Sequence, residues 1–194
     1  MTKLENISVQ KFYDGIKKLF KNGEELLEES ELLASNGKYA RAYFLSHLAI
    51  EEFSKISILF ELLIEKKLKN DIEFAEFNFS FKDHISKLRI SIDSEIAFMR
   101  MMKDELGYKW IDNLIESIEK EYSQIETKNE LKKESLYVSI KNNEFQSPTD
   151  VFDKKSFDNI RQLTFMKQKI YKRLFNGIDE DSIEQMVKLI KEEK

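Results

Sequence analysis

The segment Arg41-Ala42-Tyr43-Phe44-Leu45-Ser46-His47 places an arginine ahead of a histidine with five residues between them. Such a pair can cleave RNA, the arginine holding the phosphate while the histidine moves the proton of the 2′-hydroxyl. On a regular helix the two side chains diverge by about 120°, so one chain aims both at one phosphate only with a bend or a second copy. Just downstream stand Glu51, Glu52 and Lys55, and further on His84 with Lys87 one helical turn later. A carboxylate, a histidine and a lysine within reach of one another can form a general acid/base pair or hold an anion. They can equally be a buried tie that sets the register of two helices. The chain has no cysteine and two histidines, which excludes disulfides, zinc–thiolate sites, cysteine nucleophiles and histidine-rich metal clusters. No metal and no cofactor is expected.

The elements that must position these groups are helices. One proline and five glycines in 194 residues leave few places where a helix must break. From Ser8 to Ser35 the apolar positions Phe12, Ile16, Leu19, Phe20, Leu26, Leu27 and Leu33 recur at helical steps, and Asn36-Gly37 supplies the stop. Gly23 falls on that stripe, where it costs about 1 kcal/mol against alanine, and a close helix crossing explains it. A second helix is predicted from about Lys38 to Lys69, so the first two elements form a long antiparallel helical hairpin. Residues 70–82 read as an extended connection. Further helices are predicted from about Asp83 to Glu105, from Lys109 into the 120s, from Lys154 to Phe175 with Gly177 as stop, and from Glu180 onward. Between them, Leu136 to Phe145 has a two-residue period around Asn142-Asn143, which predicts a short β-hairpin or extended flap near 136–146, closed by a turn at 146–150. The expected fold is therefore an all-α bundle in one domain spanning 1–194.

On a helical wheel the second helix has a stripe centred between Leu45, Ala49 and Ile56. Glu52 falls inside it, Arg41 and Lys55 lie at its border, and Glu51 and His47 turn away. A carboxylate in a core stripe needs a partner. The candidate polar cluster is thus Glu52 with Lys55, His84 and Lys87, with Glu51 beside it in sequence, and His47 reads as a solvated histidine.

The net charge is −4, from 32 basic and 36 acidic residues, with the signs mixed along the chain. A surface built for duplex DNA is usually basic overall, so duplex binding is not expected, whereas a local RNA site is compatible with this balance. The amino terminus does not read as a signal peptide. The longest apolar run, Ile56 to Ile64, is interrupted by Ser57 and Glu61 and is too short to span a bilayer. A cytoplasmic protein without membrane contact is the expectation. Phe12, Tyr13, Leu19 and Phe20 spread around the first half of the first helix, beyond what shorter helices could cover. They predict a homodimer through that face, which could bring two Arg41/His47 pairs to one cleft.

Two stretches then carry a resemblance. Asn22-Gly23-Glu24-Glu25-Leu26-Leu27 leads into Asn36-Gly37-Lys38-Tyr39-Ala40-Arg41-Ala42, and Leu48-Ala49-Ile50-Glu51-Glu52-Phe53-Ser54-Lys55 follows. With His84-Ile85-Ser86-Lys87-Leu88, Leu136-Tyr137-Val138 and Phe145-Gln146-Ser147-Pro148, they resemble the AbiV family of bacterial abortive-infection proteins, in order, from about residue 20 to 150. The Ala-Ile-Glu-Glu-x-x-Lys block is the most specific part. Phe53-Ser54 replaces a usual Leu-Gly, and Phe145 a usual Trp. The resemblance implies a phage-defence protein of the helical HEPN superfamily, many of whose members are dimeric RNases with an Arg–His motif on a later helix than the second. It implies two functional expectations. The first is an interaction protein that binds a phage-encoded or host factor and blocks phage production. The alternative is a metal-independent RNase using Arg41 and His47, or Glu52, His84 and Lys87.

Overall fold

A computed structural model of the protein describes residues 7–68, 83–106, 112, 115–116, 118–120, 123–177, 184 and 187–188. Its elements are α1 (Val9–Ser35), α2 (Tyr39–Leu68), α3 (His84–Leu106), α4 (Ile125–Glu134), β1 (Ser139–Lys141), β2 (Glu144–Gln146), α5 (Pro148–Val151) and α6 (Lys154–Gly177). The expected connection at 70–82 and most of the helices expected from Lys109 and from Glu180 lie outside the described residues. Among the described residues, no helix is long and apolar enough to cross a membrane.

The α1–α2 hairpin forms as its sequence dictates. The Ser8 hydroxyl accepts from the Lys11 amide at the start of α1, satisfying one of the open donors of a helix N-terminus. At the other end Gly37 takes φ +70°. Its amide donates to the Ala34 carbonyl, and the Lys38 amide to that of Leu33, both at 2.9 Å. This left-handed stop reverses the chain within three residues. Gly23 marks the crossing: a Cβ there would lie 2.5 Å from Cε1 of Phe53. The Phe53 ring in turn packs on Phe20 and Tyr171.

Core lies on both sides of α2. One cluster joins it to Phe12, Ile16 and Leu27 of α1 and Tyr171 of α6. The other joins Ala42, Tyr43 and Ile50 to Leu88 and Ile92 of α3 and to Phe157 and Ile160 of α6. α2 is thus a central helix with more than one buried face, which is why Ser46, His47, Ser54 and Ser57 are all buried. On the α1 face expected to be left open, Phe12 and Ile16 are buried, and Tyr13, Leu19 and Phe20 are partly buried against the same core. The apolar residues on which the expected dimer contact rests therefore pack in part within the chain itself.

A polar chain runs through the centre. Lys167 donates to both oxygens of Glu95 at 2.9 Å, with both side chains fully buried. The Ser91 hydroxyl donates to Glu95 Oε1 at 2.7 Å. Having spent its one proton there, it accepts from Tyr171, whose oxygen is then left to accept from Ser57, each at 2.7 Å. One direction of donation thus runs from α2 through α6 to α3. Burial pushes the Tyr171 hydroxyl well above its ordinary range, and Glu95 adds to this.

The β-hairpin near 136–146 is present, with Ile140 opposite Phe145 and Lys141 opposite Glu144. Asn142 and Asn143 both have positive φ, the requirement of the two-residue turn that matches strand twist. The turn expected at 146–150 is a short helix, α5, opened by a capping box of Ser147 and Asp150.

Candidate functional site

The polar cluster exists, but its carboxylate is Glu51 and not Glu52. Glu51 is 3% exposed and lies on the α2 row that begins with His47, one turn earlier. His84 Nδ1 lies 2.5 Å from Glu51 Oε2, and Lys87 Nζ lies 3.2 Å from the same oxygen. Lys132 Nζ, from α4, donates to Oε1 at 2.7 Å. His47 Nδ1 approaches Oε1 at 3.4 Å, an ion-pair distance without the direction of a hydrogen bond, and among the described residues this nitrogen has no hydrogen-bond partner. Three helices therefore meet on one carboxylate.

Glu52 instead pairs with Lys55 on the partly exposed face of α2. The wheel fails because Leu45, at the centre of its stripe, sits with Leu48 on that partly exposed outer face. His47 and Glu51, which the wheel turns toward solvent, are buried, as is Ser54 on the same row. On a helix packed on several sides, side-chain polarity does not report direction. His47 is 1% exposed, so it is not a solvated histidine. Arg41 is exposed and donates from Nη1 to the Leu136 carbonyl at 3.2 Å, where it caps the chain leaving α4. Arg41 and His47 thus do different work and do not converge on one point.

Lys132 was missed because its position near the end of a short helix gives no hint of its partner 81 residues away. Glu95 and Lys167 were missed for the same reason. The run of serines on otherwise apolar helix rows was the available signal, since small hydroxyls in a core accompany buried polar groups that need donors.

The electrostatics follow from the geometry. Burial by itself would raise the Glu51 carboxyl. Contacts with His47 and Lys132, with the charges of Lys132 and Lys87, outweigh it and hold Glu51 well below the ordinary carboxylate range. An ionised carboxylate only accepts. His84 Nδ1 must therefore carry a proton, which leaves Nε2 as the ring nitrogen turned away from the carboxylate. The His84 side chain is 51% exposed, so a carboxylate-anchored imidazole opens to solvent. Burial lowers the His47 pKa against the pull of Glu51, and Lys132 and Lys128 lower it further, so His47 is neutral.

Two histidines and a carboxylate could suggest metal ligands. Here two ammonium groups already hold the carboxylate oxygens and would repel a divalent cation. Among the described residues, no group of three His, Cys, Asp or Glu side chains is arranged to hold a metal. What the site offers is an oriented imidazole whose carboxylate anchor is held by two fixed ammonium groups.

A family model described as AbiV, of the HEPN type, matches residues 11–168. A search of curated proteins and a search of solved structures each found no match. The family match spans α1 to α6 and takes in every residue of the Glu51 cluster, and the chain belongs to the AbiV family of HEPN-type abortive-infection proteins.

Proposed function

We propose that this protein blocks phage production by binding a phage-encoded or host protein through its β-hairpin. The observation that carries the reading is the hairpin's reversed polarity. Ile140 and Phe145 form a cross-strand pair that is 66% and 79% exposed, while the neighbouring pair Ser139 and Gln146 is partly buried. Tyr137 and Val138 are exposed as well. A two-stranded hairpin is marginal by itself, and here Arg41 grips its base while Lys141 pairs with Glu134. Apolar side chains held in the open on a supported scaffold suit a protein partner. Covering Ile140 and Phe145 would contribute about 1.5–3 kcal/mol each. The test is phage plating on cells carrying Ile140→Asp/Phe145→Asp. Protection should be lost while the purified variant keeps its helical circular dichroism and melting temperature; full protection by a folded variant defeats the reading. Homodimerisation is tested separately by sedimentation at micromolar concentration, where a 23 kDa species rules it out.

The Glu51–His84 pair favours a second reading, metal-independent RNA cleavage with His84 as general base. Purified protein in EDTA should then cut a fluorescent RNA oligonucleotide, and His84→Ala should stop it. Uncut RNA at high enzyme concentration eliminates this reading.

A further inference from the structure

His84 is one of only two histidines in the chain, and the two are placed in opposite ways. His47 is buried, whereas the His84 ring is half exposed and pinned at Nδ1 by a carboxylate 2.5 Å away. That carboxylate fixes the tautomer and makes Nε2 more electron-rich, as carboxylate partners of imidazoles do elsewhere. Behind the ring Lys87 and Lys132 are both fixed on the Glu51 carboxylate, and the Asp83 carboxylate also acts on the ring. A nucleophilic nitrogen on a ring whose anchor is held by two fixed ammonium groups can take an anionic electrophile without facing an uncompensated carboxylate.

We propose that His84 is a phosphoryl acceptor, its Nε2 taking a phosphoryl group from a donor with a good leaving group such as an acyl phosphate. The Nε2 lone pair forms the N–P bond. The P–O bond to the acyl oxygen breaks, and its electron pair leaves with the carboxylate product. Nδ1 keeps its proton on Glu51, so the positive charge gained by the ring faces a negative one at hydrogen-bond distance. Lys87, one turn along α3, is fixed on the same carboxylate oxygen and helps to keep that anchor ionised. The proposal is independent of the hairpin reading. It also differs from RNA cleavage, in which the same ring moves a proton and gains no mass.

The experiment treats the full chain with potassium phosphoramidate, and separately with acetyl phosphate. The adduct is followed by intact mass and by ³¹P NMR and located by peptide mass spectrometry. One phosphoryl group should appear on His84, forming roughly tenfold faster in the folded chain than in the same chain in urea, the lower end of what a carboxylate partner gives an imidazole. His84→Gln should remove the adduct and His47→Gln should leave it. Glu51→Gln, where circular dichroism shows it folded, should bring the rate down to that of the urea-unfolded chain. A folded rate no greater than the unfolded one overturns the proposal, as does an adduct formed mainly at His47 or on lysine. The folded-versus-unfolded comparison uses wild-type protein, so the outcome stands even where a Glu51 variant does not fold.

Discussion

Glu51 and Glu52 are neighbours with the same chemistry and opposite fates, which makes them a sharp pair for mutation. Removing Glu51 would leave Lys87 and Lys132 buried without their shared counter-ion, and such losses cost about 3–5 kcal/mol. Glu52→Ala removes an i,i+3 pair on a partly exposed face and should cost no more than about 1 kcal/mol. Urea unfolding of the two alanine variants should separate them by that margin. Acid should weaken the fold in two stages. The His47 pKa is depressed in the folded chain, so the unfolded chain binds that proton first, and stability falls as pH drops below the ordinary value of 6.5. Glu51 is also depressed and adds its own loss below about 4.5. Urea midpoints between pH 7 and 2 should show both stages, and His47→Gln should flatten the upper one. The sequence reading joins a carboxylate of α2 to His84 and Lys87 but picks Glu52, where the structure has Glu51. Which of the two it is depends on how many neighbours cover α2, and residue types along a single helix carry no such information.

The boundaries of α1, α2, α3 and α6 were readable because each has local chemistry at its ends: Ser8, Asn36-Gly37, Asp83 and Gly177. The hairpin was readable for the same reason, through Asn142-Asn143 and an alternating pattern. α4 was not, since its described sequence from Ile125 to Glu134 offers little apolar periodicity, with its buried positions including Asn129 and Lys132. The close crossing read from Gly23 gives a further test. Gly23→Ala gains about 1 kcal/mol of helix propensity. However, the methyl group meets the buried Phe53 ring at 2.5 Å, so a net loss of about 1–3 kcal/mol is expected from overpacking. Phe53→Leu should relieve part of it: thermal melts of the double variant should show less damage than the sum of the two single changes.

At the level of the whole molecule, α3 and α6 are joined by a wholly buried ion pair, Glu95 with Lys167. Glu95→Gln should cost about 3–5 kcal/mol, whereas Glu95→Leu/Lys167→Met should recover most of it, because an apolar pair has no charge to desolvate. A double-mutant cycle in urea measures the coupling. The polar links also have a consequence in time. The α1–α2 hairpin closes through a three-residue reversal and can form early, from contacts near in sequence. Glu51–Lys132, Glu95–Lys167 and Ser57–Tyr171 span 81, 72 and 114 residues, and each requires charged or hydroxyl groups to shed water after long loops have closed. The chain should therefore reach its transition state with the helical hairpin built and these links unmade. In stopped-flow chevrons, substitutions along the α1–α2 crossing should slow refolding, whereas those at Lys132 and Lys167 should act almost wholly by speeding unfolding. The residues that hold the Glu51 cluster together would then govern how long the native molecule lasts, and have little effect on how quickly it forms.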